Sequence, residues 1–243
     1  MKKYLYVMFI SIMFVTSCTT YHFVPILNET IAIQNERGKS YPVYIDDKYG
    51  MIIMPEYKES ELMLKITIKN TSTEKLSFSD SDFAVFASED RIAWKQLKVY
   101  SSSEFYKKEK AEYTTGAVIM VLSAAASSYN AGRGYSTTRG NVYGNTAYGS
   151  YSGSYTSTTS YYDPTAAELA SQRNAQMVSD YAQSGKEWLE VLENNLFYST
   201  DIEPGKEYFG LVFSEKGSGR YYKIECSNPL LKIVSIEYER VAD

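Results

Sequence analysis

The sequence predicts a mainly β protein, an antiparallel β-sandwich interrupted by an α-helical insertion. Between residues 30 and 100, and again after residue 203, apolar residues alternate with polar ones in short runs that end at turn-forming residues. A period of two is typical of strands buried on one face, and closely spaced strands of this kind favour a sandwich. The segment between these regions carries apolar residues at helical spacing instead. The two strand regions are therefore expected to share one core, with helices inserted between them.

The chain begins with a basic start, Met1-Lys2-Lys3, followed by an apolar run at residues 4–15. This order is typical of a secretory signal peptide. About a dozen residues span about 18 Å as a helix, whereas the hydrocarbon core of a bilayer is about 30 Å thick. The run is therefore too short for a permanent transmembrane helix, and residues 1–17 are assigned to a signal peptide.

The end of this segment, Val15-Thr16-Ser17-Cys18, resembles the lipobox of bacterial lipoproteins. The resemblance implies cleavage before Cys18, acylation of that cysteine, and a protein of the bacterial cell envelope that contacts a membrane through its lipid. Two or three acyl chains hold a protein stably, because each buried CH₂ contributes about 0.8 kcal/mol. Thr19 in place of aspartate implies the outer membrane. The alternatives are an ordinary signal followed by an unrelated cysteine, and an uncleaved anchor.

The composition excludes several classes of function. With 25 basic and 29 acidic residues the formal net charge is -4, and the chain lacks the clustered Lys/Arg face with which proteins neutralise nucleic acid. The single histidine, His22, falls in the predicted lipidated tether of residues 18–28. Acylation of Cys18 leaves Cys226 without a disulfide partner, and its alternating surroundings favour a packed side chain. No metal, cofactor or nucleic acid is expected.

The first predicted segment of the sandwich covers residues 29–102. Its strands are short apolar runs separated by polar turns, of which residues 69–75 form the clearest. The runs lie at residues 30–33, 51–54, 62–68, 76–78, 83–86 and 91–94.

Part of this segment, residues 60 to 100, resembles the immunoglobulin-like modules of bacterial envelope lipoproteins. The resemblance lies in residues 66–72, a strand that ends in a turn containing asparagine, and in residues 78–83, a short strand and a Ser/Asp turn that lead into a phenylalanine strand. It implies an immunoglobulin-like sandwich and carries little information about function.

Residues 103–197 are expected to form the helical insertion. Charged residues 104–112 lead into an apolar run at 116–126, which is too short to span a membrane. We expect a helix buried against the sheet. Insertion into the bilayer and packing between copies of the chain are the alternatives.

A second helix is expected to begin at Asp163-Pro164, an N-cap followed by proline at the first helical position. Apolar residues recur near a period of 3.6 as far as residue 197, with an interruption expected near Ser184-Gly185. Paired with the first helix, it forms a helical hairpin. Strands return at residues 208–213, 220–226 and 230–241, so residues 198–243 are expected to complete the sandwich.

Residues 127–162, between the two helices, contain eight tyrosines and six glycines among Ser, Thr and Asn, with Arg133 and Arg139 as the only charged residues. This composition buries too little apolar surface to offset backbone entropy, which predicts a mobile low-complexity loop. Tyrosine among glycine and serine is also typical of binding surfaces, whereas the alternative is a solvated linker without a partner. The candidate contact residues for a protein or glycan partner are Tyr135, Tyr143, Tyr148, Tyr151 and Tyr155.

No constellation of residues predicts an enzyme. A serine or cysteine nucleophile would need His22 as its base, and a tether does not hold catalytic geometry. Carboxylate pairs suited to glycoside hydrolysis are present, but each falls in a predicted turn or on a polar helix face. The pairs are Asp46/Asp47, Asp80/Asp82 and Glu187/Glu190. The turn at residues 79–82 lacks the ligand spacing and glycine of a calcium-binding EF-hand loop.

These observations predict a lipid-anchored, non-enzymatic protein of the cell envelope that acts as a binding or scaffolding module. Two alternatives stay open. In the first, the apolar helix at 116–126 associates with other copies to form a membrane-proximal assembly. In the second, a carboxylate pair hydrolyses an envelope polymer.

Overall fold

The structure is a computed structural model that describes residues 21–28, 31–36, 39–146, 149–228 and 232–242. These residues form strands at both ends of the chain and two long helices between them, so the predicted β protein with a helical insertion is confirmed. The helices are α1 (Ser102–Ala131) and α2 (Pro164–Asn195). The strands are β1 (Tyr21–Ile26), β2 (Ile31–Glu36), β3 (Lys39–Ile45), β4 (Tyr49–Lys58), β5 (Glu61–Asn70), β6 (Leu76–Phe78), β7 (Phe83–Ser88), β8 (Lys95–Leu97), β9 (Val99–Tyr100), β10 (Arg133–Thr146), β11 (Gly149–Tyr162), β12 (Thr200–Ile202), β13 (Glu207–Glu215), β14 (Tyr221–Cys226) and β15 (Val234–Ala242).

Two antiparallel sheets make up the sandwich. One has the strand order β1-β15-β14-β7-β8 and the other the order β2-β3-β4-β5-β13-β9. Strand β15 lies between β1 and β14, and β13 lies between β5 and β9, so each sheet pairs strands from both ends of the chain. The prediction that the two segments share one core is confirmed.

The core follows the period-two pattern of the sequence. In β4, Met51 and Ile53 are fully buried while their neighbours are partly exposed, and in β14 the same holds for Ile224 and Cys226. Side chains from both sheets meet in a single apolar cluster. Burial raises the pKa of the Cys226 thiol to about 12, which makes it an unreactive packed side chain. Cys18 lies outside the described residues.

Buried tyrosines connect the two sheets. The Tyr238 hydroxyl on β15 donates to the Ile53 carbonyl on β4. The Tyr57 and Tyr222 hydroxyls lie 2.8 Å apart, and Tyr222 also donates to the Gly217 carbonyl. Burial raises the pKa of both Tyr222 and Tyr238 above the usual range, so both remain protonated donors.

Two parts of the sandwich differ from the sequence predictions. Residues 91–94 form a turn, because the Asp90 carboxylate accepts hydrogen bonds from the Ile92 and Ala93 amides at 2.9 and 3.2 Å. Residues 21–26, assigned to the tether, form β1 instead and pair with β15 from Tyr21↔Ala242 to Ile26↔Glu237. Their backbone groups find ladder partners in β15, a strand at the other end of the chain that local pattern does not reveal.

Most of the two helices, together with the β10 and β11 strands between them, belongs to a second compact unit at Tyr106–Val191. The Tyr113 and Tyr181 rings stack with centroids 5.4 Å apart. The Trp188 indole donates to Glu109 at 2.8 Å, and the Asn174 amide donates to the Ala124 carbonyl at 3.0 Å. Positions early in α1 therefore meet positions late in α2, which confirms the predicted helical hairpin.

Two expectations for the helices are wrong. Helix α2 continues through Ser184-Gly185, where Gly185 allows the Tyr113 ring to approach the backbone. The apolar run in α1 is not buried, because small residues such as Gly116 and Ala124 face α2 while the larger side chains point away. The exposed side chains are Val118, Ile119, Val121 and Leu122, each half exposed or more. Within the residues that the structure describes, neither helix combines the length and apolarity needed to cross a membrane.

We expect Tyr238→Phe to lower the free energy of unfolding by about 1 to 2 kcal/mol, because the Ile53 carbonyl loses its side-chain donor inside the core. Equilibrium urea unfolding measures this change. The matched control is Tyr135→Phe. Tyr135 is 70% exposed, so the loss of its hydroxyl leaves no buried group without a hydrogen bond. A loss of equal size in both variants would contradict a special role for the hydroxyl that joins the sheets.

Candidate binding surface

The segment between the two helices forms a long two-stranded ribbon. Strands β10 and β11 pair without a bulge from Arg133↔Tyr162 to Thr146↔Gly149, and among the described residues no other strand joins them. We call β10 and β11 the tyrosine ribbon. The prediction of a mobile loop at 127–162 is therefore wrong. Its first residues belong to α1, and most of the others belong to the ribbon. Thr, Tyr and Val favour extended backbone, and pairing satisfies the backbone groups that each strand points toward the other.

The register of the ribbon sorts its side chains onto two faces. Successive residues of a strand point to opposite faces, and residues directly paired across strands share a face. One face, which we call the arginine face, carries Arg133, Tyr135, Arg139 and Tyr143 from β10, with Tyr162 from β11. The other face, the glycine face, is defined by Gly134, Gly140 and Val142 from β10 with Tyr155 and Tyr161 from β11.

The five tyrosines predicted as one contact surface are therefore divided. Tyr135 and Tyr143 lie on the arginine face and are 70% and 74% exposed, whereas Tyr155 lies on the glycine face and is 50% exposed. For Tyr151 the structure describes the strand register, which pairs it with Gly144. Tyr148 lies outside the described residues.

The tyrosines of the glycine face have a structural role. The Tyr161 ring covers Gly134 and the Tyr155 ring covers Gly140, so closely that a side chain at either glycine would collide with the ring. An aromatic ring folded over a cross-strand glycine shields backbone that glycine leaves open. This arrangement adds side-chain packing to a sheet of only two described strands.

The arginine face offers the chemistry for recognition. Arg133 and Arg139 are the only charged residues in the segment. Hydroxyl and amide groups lie between the tyrosines: Thr137 and Thr158 hydroxyls are 3.4 Å apart across the strands, and the Asn141 amide donates to the Tyr143 hydroxyl at 3.4 Å. At about 3.3 Å per residue, Tyr135 and Tyr143 stand about 26 Å apart along β10. The face is thus an extended polar strip with aromatic rings and positive charge.

A cleft lies where α1 meets the ribbon. The Arg133 guanidinium sits 4.3 Å from the centre of the Tyr129 ring and also donates to the Tyr129 hydroxyl. The cleft holds about 540 Å³ and is lined mainly by aromatic side chains, with Tyr135, Tyr161 and Tyr162 completing its walls. The cleft therefore lies at the end of the ribbon, between Tyr135 and Tyr162 of the arginine face and Tyr161 of the glycine face.

Sequence reasoning missed Arg133, Arg139 and Tyr162 as members of this surface. The signal was present, because Arg133, Tyr135, Arg139 and Tyr143 all occupy odd positions and would share a face in a strand. The low-complexity composition masked that periodicity.

The carboxylates considered for catalysis stabilise backbone turns. Asp46 accepts from the Lys48 and Tyr49 amides at 2.8 and 2.9 Å. Asp80 accepts from the Ser102 amide at 2.7 Å, at the start of α1, and Asp82 accepts from the Ser79 amide at 2.9 Å.

Two further residues considered for catalysis, Glu187 and His22, lie within regular secondary structure. Glu187 accepts from the Gln183 amide group at 2.7 Å within α2, and His22 lies in β1, paired in register with Val241. In the described part of the chain, no three His, Cys, Asp or Glu side chains cluster in a way that would hold a metal ion.

Comparison with known proteins adds no further identification. No protein-family model matches the chain, and no curated protein or solved structure matches it either.

We expect Gly140→Ala to open the tyrosine ribbon locally, because the new methyl group displaces the Tyr155 ring. Overpacking of this kind costs about 1 kcal/mol or more, which appears as faster amide hydrogen exchange in β10 and β11. Gly153→Ala is the matched control, since nothing lies within 4 Å of a methyl group at that glycine. Equal exchange rates in the two variants would show that the Tyr155 ring does not stabilise the pair.

Proposed function

We propose that the chain is a lipid-anchored, non-enzymatic protein of the bacterial cell envelope that binds a partner through the arginine face of the tyrosine ribbon. The observation that carries the proposal is the register of β10 and β11, which places Arg133, Tyr135, Arg139 and Tyr143 on one exposed face. The lipobox at Val15-Thr16-Ser17-Cys18 supports the anchor, with Cys18 as the acylated residue and the outer membrane as its location.

The chemistry of the arginine face favours an extended, anionic partner. The face is positively charged although the whole chain has a net charge of -4. Tyrosine rings provide broad contact area with few rotatable bonds, and arginine forms charge-assisted hydrogen bonds with carboxylate or phosphate. A strip with rings about 26 Å apart suits a linear ligand better than a compact one. Among envelope partners, an acidic glycan fits this description best, and an extended acidic protein segment is the alternative.

We expect the double variant Arg139→Gln, Tyr143→Ser to weaken partner binding at least about tenfold, or about 1.4 kcal/mol, so that recovery of the partner falls. The measurement is in-cell cross-linking of the full-length protein, followed by purification and identification of attached protein or saccharide. Val142→Ser is the control, because Val142 is the neighbour of Tyr143 on the opposite face.

The outcomes separate the possible roles of the ribbon. Loss of the partner in the double variant, with full recovery of the partner in the Val142→Ser variant, supports binding through the arginine face. Equal recovery in both, including after deletion of residues 127–162, would make the ribbon a connector and overturn the proposal.

A second candidate function is self-association through α1. Its exposed apolar side chains, Val118, Ile119, Val121 and Leu122, form a patch on one short stretch of helix, and exposed apolar patches mark interaction sites. We expect sedimentation velocity of the detergent-solubilised protein to show oligomers that Val118→Ser, Leu122→Ser reduces to monomers. The control is Lys110→Ser, Thr114→Ser, an exposed polar pair with the same spacing on the same helix. A wild-type protein that stays monomeric would remove this candidate.

A further inference from the structure

We propose that the end of the sandwich where β1 begins rests on the headgroups of the membrane. We call the four side chains that form this contact, Tyr21, Tyr57, Lys216 and Arg240, the headgroup surface. This inference rests on the proposed acylation of Cys18 and assigns a second interaction surface that is separate from the tyrosine ribbon.

The first argument is the short distance along the chain from the lipid to the sandwich. Cys18 precedes Tyr21 by three positions, and three residues span at most about 10 Å. Tyr21 is already in the sheet, paired with Ala242, and the pairing with β15 continues to Ile26. An acylated Cys18 therefore holds the start of β1 within about 10 Å of the bilayer surface, and the sandwich has no long linker with which to stand away from it.

The second argument is the chemistry of the side chains around Tyr21. The Arg240 guanidinium lies 5.0 Å from the centre of the Tyr21 ring, and the Lys216 ammonium lies 4.5 Å from the centre of the Tyr57 ring. The two rings pack edge to face with centroids 6.5 Å apart. An exposed tyrosine such as Tyr21 sits favourably at headgroup level because its ring is apolar and its hydroxyl polar, whereas Tyr57, whose hydroxyl lies 2.8 Å from that of Tyr222, contributes its ring. Lysine and arginine bind lipid phosphates.

The charges nearby limit how strongly this surface binds on its own. Arg220 is paired with Glu239, with Nε 2.9 Å from Oε1, whereas exposed Glu59 and Glu215 lie at the same end of the sandwich. These carboxylates repel anionic lipid, so the headgroup surface does not recruit the protein without its acyl chains. Its effect is to orient a protein that the lipid already holds.

Arg240 is held in place for this role. Its guanidinium donates to the Ser218 carbonyl at 3.0 Å and to the Tyr57 hydroxyl at 3.5 Å. Because these bonds restrict the side chain before it meets lipid, little conformational entropy is lost on contact.

The orientation is tested with two fluorescent labels on the full-length acylated protein. It is reconstituted in vesicles of phosphatidylethanolamine and phosphatidylglycerol that contain a headgroup spin-labelled lipid as quencher. The label is attached at Ser218→Cys, beside Arg240, or at Thr73→Cys, beyond the opposite end of β5. Cys226 is buried and Cys18 is acylated, so neither competes for the label. We expect several-fold stronger quenching at Ser218 than at Thr73.

Substitutions then test the headgroup surface itself. Tyr21→Ser with Lys216→Gln is expected to bring the quenching at the two labels closer together while the protein stays bound to vesicles. Lys48→Gln, an exposed cation at the opposite end of the sandwich, is the control and leaves the difference unchanged. If neither variant changes the difference, the tether alone orients the sandwich and the role of these side chains is overturned.

Different results would overturn the proposed anchor and the proposed orientation. An acylated, vesicle-bound wild type with equal quenching at both labels overturns the orientation and leaves the anchor intact. A wild type without acyl chains by mass spectrometry, or a Cys18→Ser protein that fractionates with membranes as wild type does, overturns the anchor and with it this inference.

Discussion

Hydrogen bonds from buried tyrosines hold the two sheets of the sandwich at a defined offset. A tyrosine ring contributes as much apolar burial as phenylalanine, but its hydroxyl must find an acceptor inside the core. Tyr238 finds the Ile53 carbonyl, and Tyr49 reaches the Lys232 carbonyl at 3.3 Å. Each bond joins strands of opposite sheets or the connection next to them, so a slip of one sheet over the other would leave several buried hydroxyls unsatisfied.

A buried polar side chain also fixes the position of β12, the first strand after the helices. Asn70, at the end of β5, is fully buried, and its amide donates to the Ile202 carbonyl at 2.8 Å and to the Glu74 carbonyl at 2.7 Å. Strand β12 is short and could not be held by its pairing with β6 alone. The buried amide ties the two segments of the sandwich together on either side of the insertion.

The tyrosine ribbon uses tyrosine in a different way. An isolated pair of strands is only marginally stable in water, and in the ribbon rings laid over glycines supply local packing on one face. That leaves the arginine face free to display its side chains to solvent. We therefore propose that the glycine face stabilises the strand pair and that the arginine face binds the partner. A strand pair holds its rings at set intervals along one direction, which a mobile loop of the same composition does not.

The amino-acid sequence by itself determined which segments are strands and which are helices wherever burial imposes a local period, as in β4, β14 and α2. It also carries Val15-Thr16-Ser17-Cys18, a short linear motif that resembles a lipobox and on which the proposed anchor depends. Tertiary structure decided the rest. Strand β1 forms because β15, at the opposite end of the chain, supplies its ladder partners, and the apolar side chains of α1 are exposed because small residues face α2. Which ribbon tyrosines share a face depends on register, since a shift of one residue exchanges the faces of a strand. Composition alone does not encode register, because it is set by pairing between residues far apart in the sequence.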